Sequence, residues 1–408
     1  MGLRVARNQP MGNLTDKYCI VGIGQTAFMT NSGRSTLSLV CEAMKKAMDD
    51  AGLGASDIDG ITSFGHGDCA GAAAVATAMG LRPNYYMDVD GGGSSTEALI
   101  THAIGLLEAG ACKCIAIYRG QNGRSGRRMG QQPGDRPDSQ FRQHWGWTAP
   151  VQWFAMPAMR YLRDTGTSTR AFADIAVTHR YHASLNPKAM SREPITVEDH
   201  QNSRWIAKPF RLLDCCRESD NAGVLIITSR ERAFDLKQPP VFIMSAVART
   251  TTPNPAWTFS NPVLHRAGGH YSKQRLFGQA GVSPKDLDFV SLYDAFTYEC
   301  LLQYETWGFC GHGEAGEFVR DGRTRLDGVL PTNTGGGLLS EGYVHGLNLV
   351  LENVRQLRHR ADDACPRAHE GIHTYDRSKG CRQVRRAKLA ASLASIEENS
   401  SGVILRST

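Results

Sequence analysis

A chain of 408 residues, 41% hydrophobic and 21% charged, can bury a large core, enough for about two to three domain-sized units. Its net charge of +6 includes two basic clusters, RSGRR at 124–128 and RQVRRAK at 382–388, which lack the interleaved aromatics of a base-stacking surface and argue against nucleic-acid binding. No stretch approaches the roughly 18 apolar residues of a membrane span, and the N-terminus has no apolar signal-peptide segment.

In chain order, residues 1–17 are expected to form an extension outside the core, since MGLRVARNQP precedes a second methionine. YCIVGIG at 18–24 reads as a short buried strand. Leu37, Val40, Met44, Ala47, Met48 and Ala51 fall at helical spacing across 35–51, and Gly52 stops that helix. DGITSF is a strand, followed by FGHGDCA, whose His66 and Cys69 either line a pocket beyond the strand or sit in a surface loop. DGGGSSTEAL at 90–99 opens a helix over 94–110, and KCIAIYR at 113–119 is the next strand. Strands and helices alternating this way predict a largely parallel sheet covered by helices. The eleven scattered cysteines, several inside apolar strands, point to reduced thiols and a cytoplasmic setting.

HWGWTAPVQWFAMPAMRYL at 144–162 is rich in Trp and Met, and reads either as a partner surface or as a buried cap over an acyl tunnel. Prolines in DLKQPP at 235–240 precede a new strand, VFIMSAVA. An internal repeat then appears: AGLGASDIDGITSF at 51–64 aligns without a gap on AGVSPKDLDFVSLY at 280–293, pairing Asp57 with Asp286 and Asp59 with Asp288. The chain therefore reads as two copies of one α/β unit, 18–238 and 239–408.

In the second copy, GGGLLSEGYVHG at 335–346 reads as three glycines opening a helix, with Glu341, Tyr343 and His345 in its first turns. Exposed N–H groups at such a start either hold an anionic group or a developing oxyanion, or simply join strand to helix. Glu341 is expected to be a solvated first-turn charge. The tail, RQVRRAKLAASLASIEENSSGVILRST, reads as a basic helix, a polar linker and the strand GVILR, with Cys381 and His373 nearby.

The duplicated halves, LYDAFT at 292–297, NTGGGLLSEGYVHG at 333–346 and RLLDCCRESDNAG at 211–223 together resemble the thiolase superfamily, and more narrowly its sterol-carrier or lipid-transfer-protein branch. The resemblance runs from about Tyr18 to Cys381. It implies a thiolase fold, duplicated βαβ-based halves in five αβαβα layers, with acyl-CoA chemistry in a homodimer. Where a thiolase carries its cysteine nucleophile this chain has Gly92, and where the family places its Asn and His oxyanion donors it has Tyr293 and Tyr343.

That pair resembles the lipid-transfer-protein aldolases of bacterial steroid side-chain degradation. The resemblance implies retro-aldol cleavage of a β-hydroxyacyl-CoA, of a 17-hydroxy steroid type, to a ketone and a short acyl-CoA such as propionyl-CoA. It implies Tyr293 and Tyr343 as catalytic groups and a small OB-fold subunit of the DUF35 type completing a heterotetramer. Asp294 and His345 beside the tyrosines either relay protons or satisfy the local backbone, and His66, Cys69, Gly92 and Gly336 are the expected substrate-facing positions. No clustered His/Cys spacing for zinc and no lysine in these motifs for a Schiff base is visible, so no cofactor is expected, the coenzyme A being carried by the substrate. A non-catalytic acyl-CoA carrier or scaffold and an acyltransferase are the competing readings.

Overall fold

The computed structural model describes residues 14–126, 128, 140–141, 143–251, 268–361, 374–396 and 399–408. β1 (Tyr18–Gln25), β2 (Gly60–Gly65), β3 (Tyr85–Asp90) and β4 (Cys114–Asn122) alternate with α1 (Thr36–Ala51), α2 (Ala72–Met79) and α3 (Ser95–Glu108). An excursion containing α4 (Pro150–Thr165) and α5 (Arg170–Leu185) leads into β5 (Asp220–Ser229). β6 (Val241–Thr251), α6 (Gly268–Ala280), β7 (Phe289–Leu292), α7 (Thr297–Thr306), the single turn α8 (Gly337–Ser340), α9 (Leu347–Leu357), β8 (Leu389–Ile396) and β9 (Asn399–Arg406) follow. The expected first helix forms as read: Ser35 Oγ caps it by accepting the Ser38 N–H at 3.2 Å, and Gly52, at φ 73°, ends it.

The strands make one nine-stranded sheet in the order β3-β2-β4-β5-β1-β6-β9-β8-β7. Read outward from its centre, each half runs first, last, fourth and second strand; Thr332 then bridges Val290 in the second half where β3 pairs with β2 in the first. Within the sheet the halves pair through Cys19 opposite Phe242 and Ile20 opposite Val241. α3 and α9 pack against strands of both halves, α1 and α2 cover the first half, and α6 and α7 cover the second. This is a duplicated five-layer αβαβα arrangement.

The repeated aspartates explain why the repeat is gapless. Asp57 Oδ2 accepts the Gly54 N–H at 2.8 Å, and Asp286 Oδ2 accepts that of Ser283 at 2.7 Å. Asp59 takes the N–H groups of Lys113 and Cys114 at the entry to β4, while Asp288 takes those of Lys388 and Leu389 at the entry to β8. Asp57 and Asp286 satisfy turn donors, and Asp59 and Asp288 satisfy donors at a strand entry.

Two expectations need correction. The sheet is mixed rather than largely parallel, because β5 and β9 fold back antiparallel between the fourth and first strands of their halves. The tail is a β-hairpin, with Leu389–Ile396 as a strand where a helix was expected. LAASLASI has a helix-former composition, but its small side chains lie in the sheet under α3, α7 and α9, so packing overrides propensity. Of the expected extension, residues 1–13 lie outside the described residues; Leu14 packs on the core and Asp16 binds Arg406 at 2.7 Å.

Candidate active site

Tyr293 leaves the end of β7 and Tyr343 lies in the break between α8 and α9. Their hydroxyls meet at 2.8 Å, and both rings are buried. Each is held by its backbone. The Tyr293 N–H donates to the Leu393 carbonyl at 2.9 Å, and its own carbonyl accepts from Gln303 Nε2 at 2.7 Å. The Tyr343 N–H donates to Ser219 Oγ at 2.9 Å, and its carbonyl accepts from Gln121 Nε2 at 2.6 Å. Gly93 backs the Tyr293 ring so closely that a Cβ there would lie 2.4 Å from Cζ. Burial pushes both phenols well above the usual tyrosine value; the Tyr293–Tyr343 proximity adds to the shift at Tyr293, while the hydrogen bond with Tyr293 and the charge of Arg119 partly offset it at Tyr343.

Gly92 marks the floor of the same region. A Cβ built on it would lie 3.2 Å from His66 Nε2 and 3.7 Å from His345 Nε2, so the position matched to the thiolase nucleophile lies between two imidazoles. His66 is tied to Asp90, Nδ1 to Oδ1, at 2.7 Å. His345 Nδ1 accepts from Arg119 Nε at 3.1 Å. The fully buried Arg119 donates onward to Asp68 Oδ2 at 2.6 Å and to Gln121 Oε1 at 3.0 Å. Burial alone would raise the Asp68 carboxyl, yet Arg119 outweighs it and brings the group down to about 2. Burial first, and Arg119 second, lower His345 well below the ordinary histidine value.

The structure therefore brings Tyr293, Tyr343, His345, His66 and Gly92 together. It places Asp294 and Gly336 elsewhere, while Cys69 lies beside Arg119 and Gly120. Asp294 accepts the Leu338 N–H at 2.8 Å and the Leu339 N–H at 3.3 Å, and it pairs with His179 Nδ1 at 2.9 Å. The three-glycine turn thus holds an anion, but that anion is the chain's own carboxylate. Gly336, at φ 108°, lies against α5, where a Cβ would meet that of Ala183 at 2.7 Å; it serves packing rather than substrate. Cys69 Sγ accepts the Gly120 N–H at 3.3 Å, and burial raises its thiol.

Glu341 is buried, not solvated. Asn186 and Asn348 donate to it, and burial, reinforced by Glu352 nearby, pushes its carboxyl up to about 7. Tyr343 and His345 do not sit in the opening turns of a helix that starts at the glycines. α8 stops after four residues, and α9, which packs across both halves as α3 does, begins only after Gly346. Arg119, Asp68 and Ser219 were missed. An arginine closing the apolar run KCIAIYR was the available signal, since a buried cation needs a partner. Cys381 is buried, and His373 lies outside the described residues. Among the described residues no group of three or more His, Cys, Asp or Glu side chains could hold a metal ion, and no helix is long and apolar enough to cross a membrane.

Residues 259–374 match the family model described as Thiolase C-terminal domain-like. Over 359 residues the chain is 42% identical to the 17-hydroxy-3-oxo-4-pregnene-20-carboxyl-CoA lyase of Mycobacterium tuberculosis, covering 85% of this chain and 92% of that protein. It is 39% identical over 360 residues to the steroid side-chain-cleaving aldolase of Thermomonospora curvata, with the same coverage. The chain belongs to the steroid side-chain-cleaving aldolases of the thiolase superfamily. A solved Ltp2-ChsH2(DUF35) aldolase superposes with a TM-score of 0.86 at 36% identity, covering 97% of this chain and 99% of its own. The thiolase fold and the lyase family expected from the motifs both hold.

Proposed function

We propose that this chain is a retro-aldolase that cleaves the Cα–Cβ bond of a β-hydroxyacyl-CoA, with a 17-hydroxy steroid bearing the acyl-CoA on its side chain as substrate. The 2.8 Å contact between the Tyr293 and Tyr343 hydroxyls carries the reading. Two hydrogen-bonded phenols share one proton between them, leaving one lone pair and one O–H free for substrate. Burial raises both phenols and disfavours a standing tyrosinate base, so in this reading the pair works as a relay. One oxygen takes the β-hydroxyl proton as its own proton moves to the other, which delivers a proton to the α-carbon. The electrons of the Cα–Cβ bond move onto the thioester as an enolate and return to the new C–H bond. The products are a ketone and a short acyl-CoA such as propionyl-CoA, with no net change in charge or oxidation state.

We assign Tyr343 to the hydroxyl and Tyr293 to the α-carbon. No bound cofactor is needed, because coenzyme A arrives with the substrate. Acyl transfer is disfavoured by Gly92 and by the state of the thiols: Cys69 is hydrogen-bonded to Gly120, and burial raises Cys216 well above the ordinary value. The working assembly in this reading is a cytoplasmic homodimer with a DUF35-type OB-fold subunit. β3 lies at the sheet edge with Tyr86 and Met87 exposed, a surface suited to a second copy. On the excursion, Ala155, Ala158 and Tyr161 are buried while Trp145, Met156 and Met159 are exposed, so the segment both caps the core and offers an apolar face for the small subunit.

The test is incubation with the 17-hydroxy steroid acyl-CoA, with and without a DUF35-type subunit. Ketone and propionyl-CoA should appear in equal amounts by mass spectrometry. Substrate left intact under both conditions would overturn the reading.

A further inference from the structure

Two imidazoles face the Gly92 position, and their second nitrogens are held by groups of opposite kind. Asp90 is a carboxylate and can only accept, so a neutral His66 carries its proton on Nδ1 and turns a lone pair inward from Nε2. Arg119 cannot be deprotonated and can only donate, so the nitrogen it contacts, His345 Nδ1, must be the acceptor. The His345 proton is therefore on Nε2. Asp68 fixes the guanidinium through its Nη2, Gln121 takes a second bond from the same nitrogen, and the Gly120 carbonyl accepts from Nη1 at 2.7 Å. This chain gives Arg119 little freedom to turn from His345.

His345 Nε2 is buried and, among the described residues, has no hydrogen-bond partner. An N–H in that state is costly to a folded protein, and it costs least where a ligand completes it. The residue is also held at φ 52°, a left-handed conformation that histidine adopts uncommonly, so the backbone is set to aim this ring.

We infer that His345 Nε2–H donates to the thioester oxygen of the acyl-CoA as it becomes an enolate oxygen, with Asp68 and Arg119 as positioning residues that fix its tautomer. The inference rests on the retro-aldolase reading and assigns the acyl end of the reaction, as the tyrosines account for the hydroxyl end. A neutral N–H suits the task because it stabilises charge that develops without giving up its proton to the enolate oxygen. The depressed basicity of His345 keeps it neutral at working pH. A neutral His66 presents a lone pair to the same space, so of two neutral rings only His345 donates there.

His345→Asn is the informative variant. Asparagine tolerates the left-handed backbone and keeps an acceptor for Arg119, but it does not reach the Gly92 position. Its kcat for ketone release should fall about a hundredfold to a thousandfold, with KM within about threefold, and His345→Gln should recover part of the loss. Arg119→Lys, which keeps a charge beside Asp68 but removes the Nε donor, should lower kcat by about tenfold as the tautomer loosens.

Two readouts do not depend on ketone release. Nitrogen-15 spectra of histidine-labelled wild-type protein should show the Nε2–H tautomer for His345. Wild-type protein should also exchange the α-protons of propionyl-CoA in deuterium oxide, and His345→Asn should lose this exchange. An Nδ1–H tautomer, or exchange and kcat at wild-type level in folded His345→Asn, would overturn the inference. If wild-type protein exchanges those α-protons in a His345-dependent way yet releases no ketone, the retro-aldolase reading fails while the donor assignment stands.

Discussion

Gly91–Gly93 and Gly335–Gly337 are both three-glycine runs at the head of a helical turn, yet one borders the site and the other is filled by the protein. In the first, Gly93 lies against the Tyr293 ring and Gly92 faces His66 and His345. In the second, a Cβ on Gly337 would lie 2.1 Å from Asp294 Oδ2, and one on Gly336 would run into Ala183. Glycine in a sequence reports that something approaches the backbone closely. Only the partner that approaches shows whether the run serves substrate or fold. Here the run with the stronger appearance of an anion site is occupied by Asp294, and its consequence is indirect: closing α8 early leaves Tyr343 and His345 in the break before α9.

The largest expected effect tests the open run. Tyr293→Phe and Tyr343→Phe each remove one oxygen from the relay, and each should lower kcat about a hundredfold to ten-thousandfold. Circular dichroism and oligomeric state should not change, because the ring packing is kept. The double variant should be little worse than either single one, since the hydroxyls act as a unit. Near-wild-type cleavage by the double variant would return both tyrosines to the core. Tyr343→His should not produce a thiolase, as Gly92 still supplies no nucleophile.

The filled run should fail in a different currency. Asp294→Ala leaves the Leu338 and Leu339 N–H groups and His179 without their acceptor, all in a buried setting. Stability should drop by about 3 kcal/mol, read by urea unfolding. The kcat of the remaining folded protein should fall less than tenfold, as assayed well below the unfolding midpoint. A variant of wild-type stability that has lost activity a hundredfold would mean Asp294 belongs to the relay, and the contrast between the two runs would collapse.

Much of this was readable from the chain because the signals were local or repeated. Helix periodicity with Gly52 as a stop gave α1, and the paired aspartates gave the duplication because Asp59 and Asp288 bind equivalent strand entries. Tyr293 and Tyr343 were legible through their places in two motifs. The remainder depended on contacts distant in sequence. Arg119 and His345 are separated by 226 positions, and nothing in either segment names the other. Asp294 stands beside Tyr293 in sequence, but successive residues leaving a strand face opposite ways, which sends its carboxylate to α8 rather than to the phenols. Glu341 looked like a surface charge because its partners, Asn186 and Asn348, are neutral residues with no pattern linking them to it.

A finer comparison lies within the open run itself. Gly93→Ala would place a methyl 2.4 Å from the Tyr293 ring, which must move, and a displacement of about 1 Å at a reacting group costs on the order of a hundredfold in rate. Gly92→Ala meets only the outer atoms of two imidazoles, at 3.2 and 3.7 Å, and His66 has room to yield. Its stability should change by less than about 1 kcal/mol, and its kcat loss should be the smaller of the two. Equal losses in parallel assays would show that the phenol and imidazole sides of the site are equally tight.

The smallest expected effect is the absence of one. A standing tyrosinate base with an ordinary pKa of about 10 would make kcat rise tenfold per pH unit between pH 7 and 9. Burial instead raises both phenols well above that value, so each remains protonated through this window and the fraction in the working form does not change. The sign is the same at the other group of the proposed chain. His345 is lowered well below its ordinary value, so it is already neutral at pH 7 and gains nothing on further deprotonation. The kcat profile of the wild type should therefore show no tenfold-per-unit rise from pH 7 to 9, and Tyr343→Phe should trace a parallel line at lower rate. A steep alkaline rise that disappears in Tyr343→Phe would show that water reaches the phenols, and that the run at Gly91–Gly93 is open to solvent as well as to substrate.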